Sequence, residues 1–295
     1  MRITKDKTTG FLFLLPTLLV LSGLLLYPVL SSIYFSFTSK HLIRLKYDFV
    51  GFGNFIKILT DIEFYRAFLT SLAWTVSSLV GQVVVGFTAA LALHRIKRWK
   101  TFFRTMLIIP WAFPSIVIAS VWKWILNGVY GFIPNMLVRL GICSETPQFF
   151  SNANLVFGTL LFINIWFGAP LIMVNVLSAL QTVPAEQYEA AKIDGASSFQ
   201  SFLYITLSHI KVVVGLLVVL RTIWIFNNFD LIYLLTGGGP ADLTRTLPIY
   251  AYSMGWGLKQ LGRSSAVTVL LLLFLIGVCL LYFKLLNTWE KENEA

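Results

Sequence analysis

Apolar residues in this chain come in long unbroken blocks rather than in the one-sided stripes of a water-soluble helix. Blocks near the ~20 residues that a helix needs to cross a hydrocarbon layer of about 30 Å are Phe11–Phe37, Phe68–Leu93, Phe102–Leu126, Leu155–Leu180, Val212–Leu235 and Ala266–Leu286. The third is interrupted by Pro110 and Pro114, and the fourth contains Pro170. A proline inside a spanning helix frees a carbonyl and bends the rod, which lipid tolerates only where neighbouring helices or a wet cavity satisfy the backbone. The third and fourth helices are therefore expected to line something. The pattern predicts an all-α, polytopic membrane protein with six transmembrane helices, residues 11–286 forming one transmembrane domain between the tails 1–10 and 287–295.

Composition agrees: 57% of the 295 residues are hydrophobic and only 12% charged, where a soluble domain has about a quarter. Arg2, Lys5 and Lys7 before the first block resemble the start of a signal peptide. The block is longer than a signal core, and no small-x-small cleavage site follows, so an anchor is expected. Cations beside helix ends set orientation. Arg95, Lys97, Arg98, Lys100 and Arg104 crowd the connection between the second and third helices, which places it in the cytoplasm with both termini and the connection between helices four and five. The net charge of +10 is then explained by basic inner loops against anionic lipid, and no nucleic-acid partner is needed.

Chemistry is sparse. Cys143 and Cys279 have no metal or disulfide spacing. His41, His94 and His209 lie apart at helix ends, and no HExxH, GxSxG or P-loop pattern occurs. No enzymatic activity is expected, and no cofactor in this chain.

The most polar regular segment is VPAEQYEAAKIDGASSFQSFLYITLSHI, Val183 to Ile210. Pro184 suits a first helical turn, and Glu186 complements its positive end. Gly195 can take the left-handed conformation that stops a helix, and Ser197 with Gln200 matches a capping box. The segment reads as helix, glycine turn, helix, ending near Ile193 and restarting after Ser197. On pattern alone it could equally be a loop lying on the membrane surface.

At Glu189, Ala190, Ala191, Asp194 and Gly195, followed after nine residues by Ile205 and Leu207, the chain resembles binding-protein-dependent ABC importer permeases, whose EAA motif has this spacing. The resemblance implies a cytoplasmic coupling helix within 184–208, between the fourth and fifth spans, docking into an ATP-hydrolysing subunit with Glu189 and Gly195 in the motif's roles. That family usually places proline directly after Ile-x-Leu; here Ser208 stands instead, so the second motif helix is expected to end less sharply. FVGFGNF (Phe49–Phe55), FRTMLIIPWAFPS (Phe103–Ser115) and FDLIYLLTGGGPADLTRTLPIYAY (Phe229–Tyr252) resemble the carbohydrate-uptake branch with its maltose and glycerol-phosphate permeases. The resemblance implies half of a translocation pore in a bacterial or archaeal inner membrane. Its implied partners are a second homologous permease completing a heterodimer, two ATP-binding subunits carrying ATP and Mg, an extracellular or periplasmic sugar-binding protein, and membrane lipid.

Polar side chains at membrane depth are costly and usually face an interior. In the fifth helix Arg221, Trp224 and Asn228 share one stripe, with Asn227 beside it; the fourth offers Asn164, Trp166 and Asn175, the second Trp74 and Gln82. Arg221, Trp224, Asn227, Asn228, Asn164 and Trp166 are the candidate substrate path, and Arg221 is expected to favour anionic saccharides. Asp230 is half a turn out of phase with Arg221 on that helix, so the partner of Arg221 must come from elsewhere. Trp122, Lys123 and Trp124 read as an interfacial belt. Gly237, Gly238, Gly239 and Pro240 are expected to end the fifth helix at the outer face in a flexible turn that meets either the cavity mouth or a substrate-binding protein. A stand-alone secondary transporter or channel for a small polar solute is the alternative, and it would need midplane carboxylates that the spans lack. The charged Lys40–Arg66 connection is ordinary in length and is expected to add little.

Overall fold

The computed structural model describes the backbone of residues 2–96 and 98–294 and the side chains of residues 12–96 and 98–285. Lys97, used above for orientation, and the side chains of Arg2, Lys5 and Lys7 lie outside the described residues, as do the side chains of the expected tails. The backbones of those tails are helical extensions of the first and last spans, in Arg2–Leu21 and Leu261–Glu294. Helices Leu12–Ser36, Ile62–Arg95, Val156–Leu180, Ser198–Thr236 and Leu261–Leu285 are long and apolar enough to cross a membrane. Lys100–Ala112 and Ser115–Ile125 are apolar enough only when taken together, and they meet at 93°, so the expected third span is a sharply bent pair: the spans number five, or six if this pair crosses as one. Among the described residues no strand forms, and β pairing is confined to a bridge between Thr38 and Phe49.

The prolines act unequally. Proline disfavours the helical conformation in the residue before it, and Phe113, before Pro114, is extended at φ −89°, ψ 147°. The chain turns there. Pro110 and Pro170 stay inside their helices. In the first span the Tyr27 N–H reaches Ser22 O through a π turn just before Pro28, a register change of the kind prolines impose.

The chain gathers into two compact units: residues up to Tyr65 with Tyr250–Phe274, and Arg66–Ile249 with the residues from Leu275 onward. In the first unit, residues 40–65 add more structure than expected. The amide of Asn54 donates to Ser36 O at 2.9 Å and Thr38 O at 2.8 Å, tying helix Gly53–Leu59 to the end of the first span. Phe37 packs on Phe49, Phe52 and Phe55, which gives the aromatics of FVGFGNF a packing role. The second span starts at Ile62, earlier than the apolar block, because Asp61 Oδ1 accepts the Glu63 N–H at 3.0 Å and supports a polar first turn.

In the second unit, helix Val156–Leu180 runs through two apolar clusters. One gathers Trp74, Ile118, Val156, Leu160, Ile163 and Ile225. The other gathers Ala90, Leu93, Met173, Val176, Ile210 and Leu217. On each of the three helices that supply both clusters, the interval between them carries polar or glycine positions: Gln82, then Asn164 and Gly168, then Arg221.

Candidate functional site

The polar layer is built from three helices. Arg221, 7% exposed, donates from Nε to Gln82 Oε1 at 3.0 Å, and its Nη2 reaches the same oxygen. Gln82 Nε2 in turn donates to the backbone oxygen of Asn164 at 3.0 Å, and Asn228 Nδ2 to Asn164 Oδ1 at 3.3 Å. Helices can approach this closely because Gly168 has no side chain: a Cβ there would overlap Gln82 Nε2 and Arg221 Nη2. The Trp224 ring lies 5.7 Å from Arg221 Cζ, within cation–π range. The partner of Arg221 is thus another helix.

Gln82 also ends a buried stripe of Ser71, Thr75 and Ser78, spaced four, three and four residues apart and so on one helix face. Ser71 Oγ accepts the Leu247 N–H at 2.7 Å. Thr75 Oγ1, Ser78 Oγ, Asn164 Nδ2 and Trp74 Nε1 are buried without a protein partner. Buried polar atoms are nearly always hydrogen-bonded, so each such exception calls for an explanation.

Of the expected path, Arg221, Asn164 and Asn228 therefore meet, with Trp224 at the edge. Asn227 is exposed and turns back to Ile223 O at 3.0 Å, and Asn175 likewise bonds Leu171 O within its own helix. Trp166 packs edge-on against Trp122, centroids 5.4 Å apart, and lines a separate apolar cavity of about 290 Å³ with Gly86, Met106, Pro110, Pro170 and Met173. Pro110 and Pro170 do line a space, but an oily one. Lys123 Nζ donates to Leu234 O at 3.2 Å.

Between the spans ending at Leu180 and starting at Ser198 stands the elbow. Helix Ala185–Ile193 has no buried residue, with Glu189, Ala190 and Asp194 exposed and Ala191 half-buried. Pro184 sits one place outside it, as the cap. Gly195 holds φ +79° with open space around it, a conformation that costs other residues about 1–2 kcal/mol. The capping box forms, Ser197 N to Gln200 Oε1 at 2.8 Å and Gln200 N to Ser197 Oγ at 3.3 Å. Tyr188 Oη and Thr206 Oγ1, 2.8 Å apart, tie the helix to the next rod. That rod does not end before the fifth span. It runs through a π stretch, Ser201–Leu207, into Ser208–Phe226; Ser208 supplies a backbone N–H and spares Leu207 the crowding that a following proline imposes on a helical residue.

The profile described as "Binding-protein-dependent transport system inner membrane component" matches residues 82–289, the span that holds Gln82, the elbow and Arg221. The chain belongs to this family. Such a permease is a component of the inner membrane. This one is 31% identical over 96% of its length to the diacetylchitobiose uptake system permease protein DasB of Streptomyces coelicolor, covering 88% of it. It is 30% identical, over 96% of its length and 92% of the relative, to the sulfoquinovosyl glycerol transport system permease protein SmoG of Agrobacterium fabrum. Its fold matches a chain in the crystal structure of a bacterial ABC transporter involved in the import of the acidic polysaccharide alginate, with a TM-score of 0.84, 21% identity, and coverage of 98% and 99%.

In this permease helix Asp230–Thr236 closes on Gly237 at φ +64°, followed by Gly238 at φ +99°. The turn after it is tied rather than loose. Thr244 Oγ1 donates to Gly239 O at 2.8 Å and lies 2.8 Å from Thr236 Oγ1, the Thr244 N–H bonds Gly238 O, and Leu243 N bonds Pro240 O. Asp242 and Arg245 pair at 3.0 Å.

Proposed function

We propose that this permease forms half of the pore of an ATP-driven importer for a sugar or sugar derivative, with ATP and Mg bound by two separate ATPase subunits. A second, homologous permease completes the pore as a heterodimer, and an extracellular or periplasmic binding protein delivers the sugar. The observation that carries the reading is the elbow. Ala185–Ile193 is a helix that its own chain leaves uncovered, and Ile193 is 87% exposed, so it presents an apolar edge with Glu189 and Asp194 to a partner in the cytoplasm. A cavity of about 590 Å³ behind it, lined by His94, Arg95, Lys192, Ser197 and Ser201, suits acidic side chains of that partner. The elbow is coupled to the rod across the Gly195 turn by the Tyr188–Thr206 pair, and because the rod from Ser198 is helical through to Phe226, force that reaches it is carried on to Arg221 without a further break.

Sugar as cargo is supported by relatives named for diacetylchitobiose and sulfoquinovosyl glycerol, and by a layer whose amides and unpartnered hydroxyls can bond saccharide hydroxyls and whose indole can stack on the C–H face of a sugar ring. Gln82 occupies two of the five N–H donors of Arg221, and three remain for an acidic group. The turn Gly237–Pro240 faces the binding protein in this reading.

The test is reconstitution with its ATPase, partner permease and binding protein. Uptake should need ATP, and Glu189→Ala or Gly195→Val should abolish ATPase stimulation while the membrane complex still assembles. Uptake by the purified chain without an ATPase would overturn the reading. Arg221→Ala should reduce uptake of an acidic saccharide more than of a neutral one; equal losses remove the anionic preference.

A further inference from the structure

At the junction of the first and last spans lies a polar cavity of about 210 Å³ whose walls include Lys40, His41, Lys57, Gln260 and Arg263, and no carboxylate. It opens just beyond Ser36 and beside Leu261, at the ends of two helices long and apolar enough to cross a membrane. Lys40 is held at its edge, Nζ 4.4 Å from the Tyr47 ring centroid. The side-chain oxygen of Gln260 is buried without a partner; rotating the amide would aim its NH₂ at an anion instead.

The surface around this cavity is oily. Leu45 is 92% exposed and Phe49 72%, with Ile43 and Phe52 also exposed in the connection before helix Gly53–Leu59, and Ile56 is exposed on that helix, whose buried residues are Asn54, Phe55 and Ile58. Aromatic and aliphatic side chains around a cationic pocket at a span end are the features of a segment lying in the headgroup region. A soluble acidic partner would account for the charge but leave these side chains in water.

We propose that this cavity binds the phosphate of an anionic phospholipid, whose acyl chains lie along Phe49, Phe52 and Ile56. Lys57 and Arg263 supply the charge, and Lys40 borders it. The site anchors the connection between the first two spans to the bilayer interface independently of any cargo.

Native mass spectrometry of the full chain in detergent, titrated with phosphatidylglycerol or phosphatidylcholine, tests this. The chain should retain phosphatidylglycerol in preference. Near a membrane each cation contributes about 1 kcal/mol toward anionic lipid, so Lys57→Gln with Arg263→Gln should weaken retention roughly thirtyfold. Lys57→Arg with Arg263→Lys should preserve it, and so should Arg44→Gln with Lys46→Gln, which removes loop cations outside the cavity wall. Equal retention by the Gln pair and the parent chain overturns the proposal. So does displacement of the lipid by millimolar inorganic phosphate, which would make this a free-anion site, or equal affinity for both lipids.

Discussion

Arg221 and Gln82 lie 139 positions apart and meet in the interior, two nitrogens of the guanidinium sharing one amide oxygen. A charged donor desolvated among spanning helices needs such an acceptor. Removing one partner leaves the other unpaired, which costs more than the pair itself contributes. Gln82→Leu should therefore destabilise the assembled permease by about 2–3 kcal/mol, while Gln82→Leu with Arg221→Leu recovers much of the loss. Thermal unfolding of the four members of this double-mutant cycle measures it. Unchanged melting for Gln82→Leu alone would mean the bond is energetically idle.

Gly168 sets the distance across this layer. A methyl group there meets Gln82 and Arg221, and overpacking a buried contact costs about 1–3 kcal/mol. Gly158, on the same helix, has nothing within 4 Å of its would-be Cβ. Gly168→Ala should lower the melting temperature and uptake together, whereas Gly158→Ala should leave both near the parent value. Similar behaviour of the two variants would show that close approach at Gly168 is not required.

What the sequence disclosed, and what it withheld, follows from range. The apolar blocks, the glycine stop at Gly195 and the capping box at Ser197 rest on local pattern; the stop and the box form where expected, and helices cover the blocks, though the second and fifth start earlier than their blocks and the third breaks at 93°. The stripe on which Arg221 lies was also legible, because helical spacing is local. Its partner was not: among the polar side chains on other spans, periodicity could not choose Gln82. The run Ser71, Thr75, Ser78, Gln82 did carry a signal, four polar residues on one face of an oily helix, that points to an interior. Gly168 carried none, since its role is a clearance between two other helices. The Lys40–Arg66 stretch was misjudged because its order comes from Asn54 binding backbone oxygens at the end of the first span, contacts that leave no periodic trace.

The elbow is tied to the rod by the Tyr188–Thr206 hydroxyl pair. Tyr188→Phe removes that bond and little volume, at a cost of about 1 kcal/mol. Amides of 185–193 should then exchange faster with deuterated water, and ATP hydrolysis should respond less to the loaded binding protein, with global melting nearly unchanged. Unaltered exchange would show that the tie does not hold the elbow.

Asn164 separates packing from passage. Its backbone oxygen, which any residue supplies, receives Gln82, while its side chain makes one long bond to Asn228 and leaves Nδ2 unpartnered. Asn164→Leu therefore removes a single weak bond, about 0.5–1.5 kcal/mol at most, and relieves an unsatisfied donor, so melting should shift little. If saccharide hydroxyls pass this layer, the same variant withdraws an amide from their path and replaces it with a branched apolar side chain. Uptake should then fall at least tenfold in the reconstituted importer, with binding-protein affinity and basal ATP hydrolysis unchanged. A variant that melts normally and transports normally would place the sugar path elsewhere and leave Arg221, Gln82 and Asn164 as a structural layer. A variant that melts early would instead make the Asn164–Asn228 bond stronger than its 3.3 Å length implies.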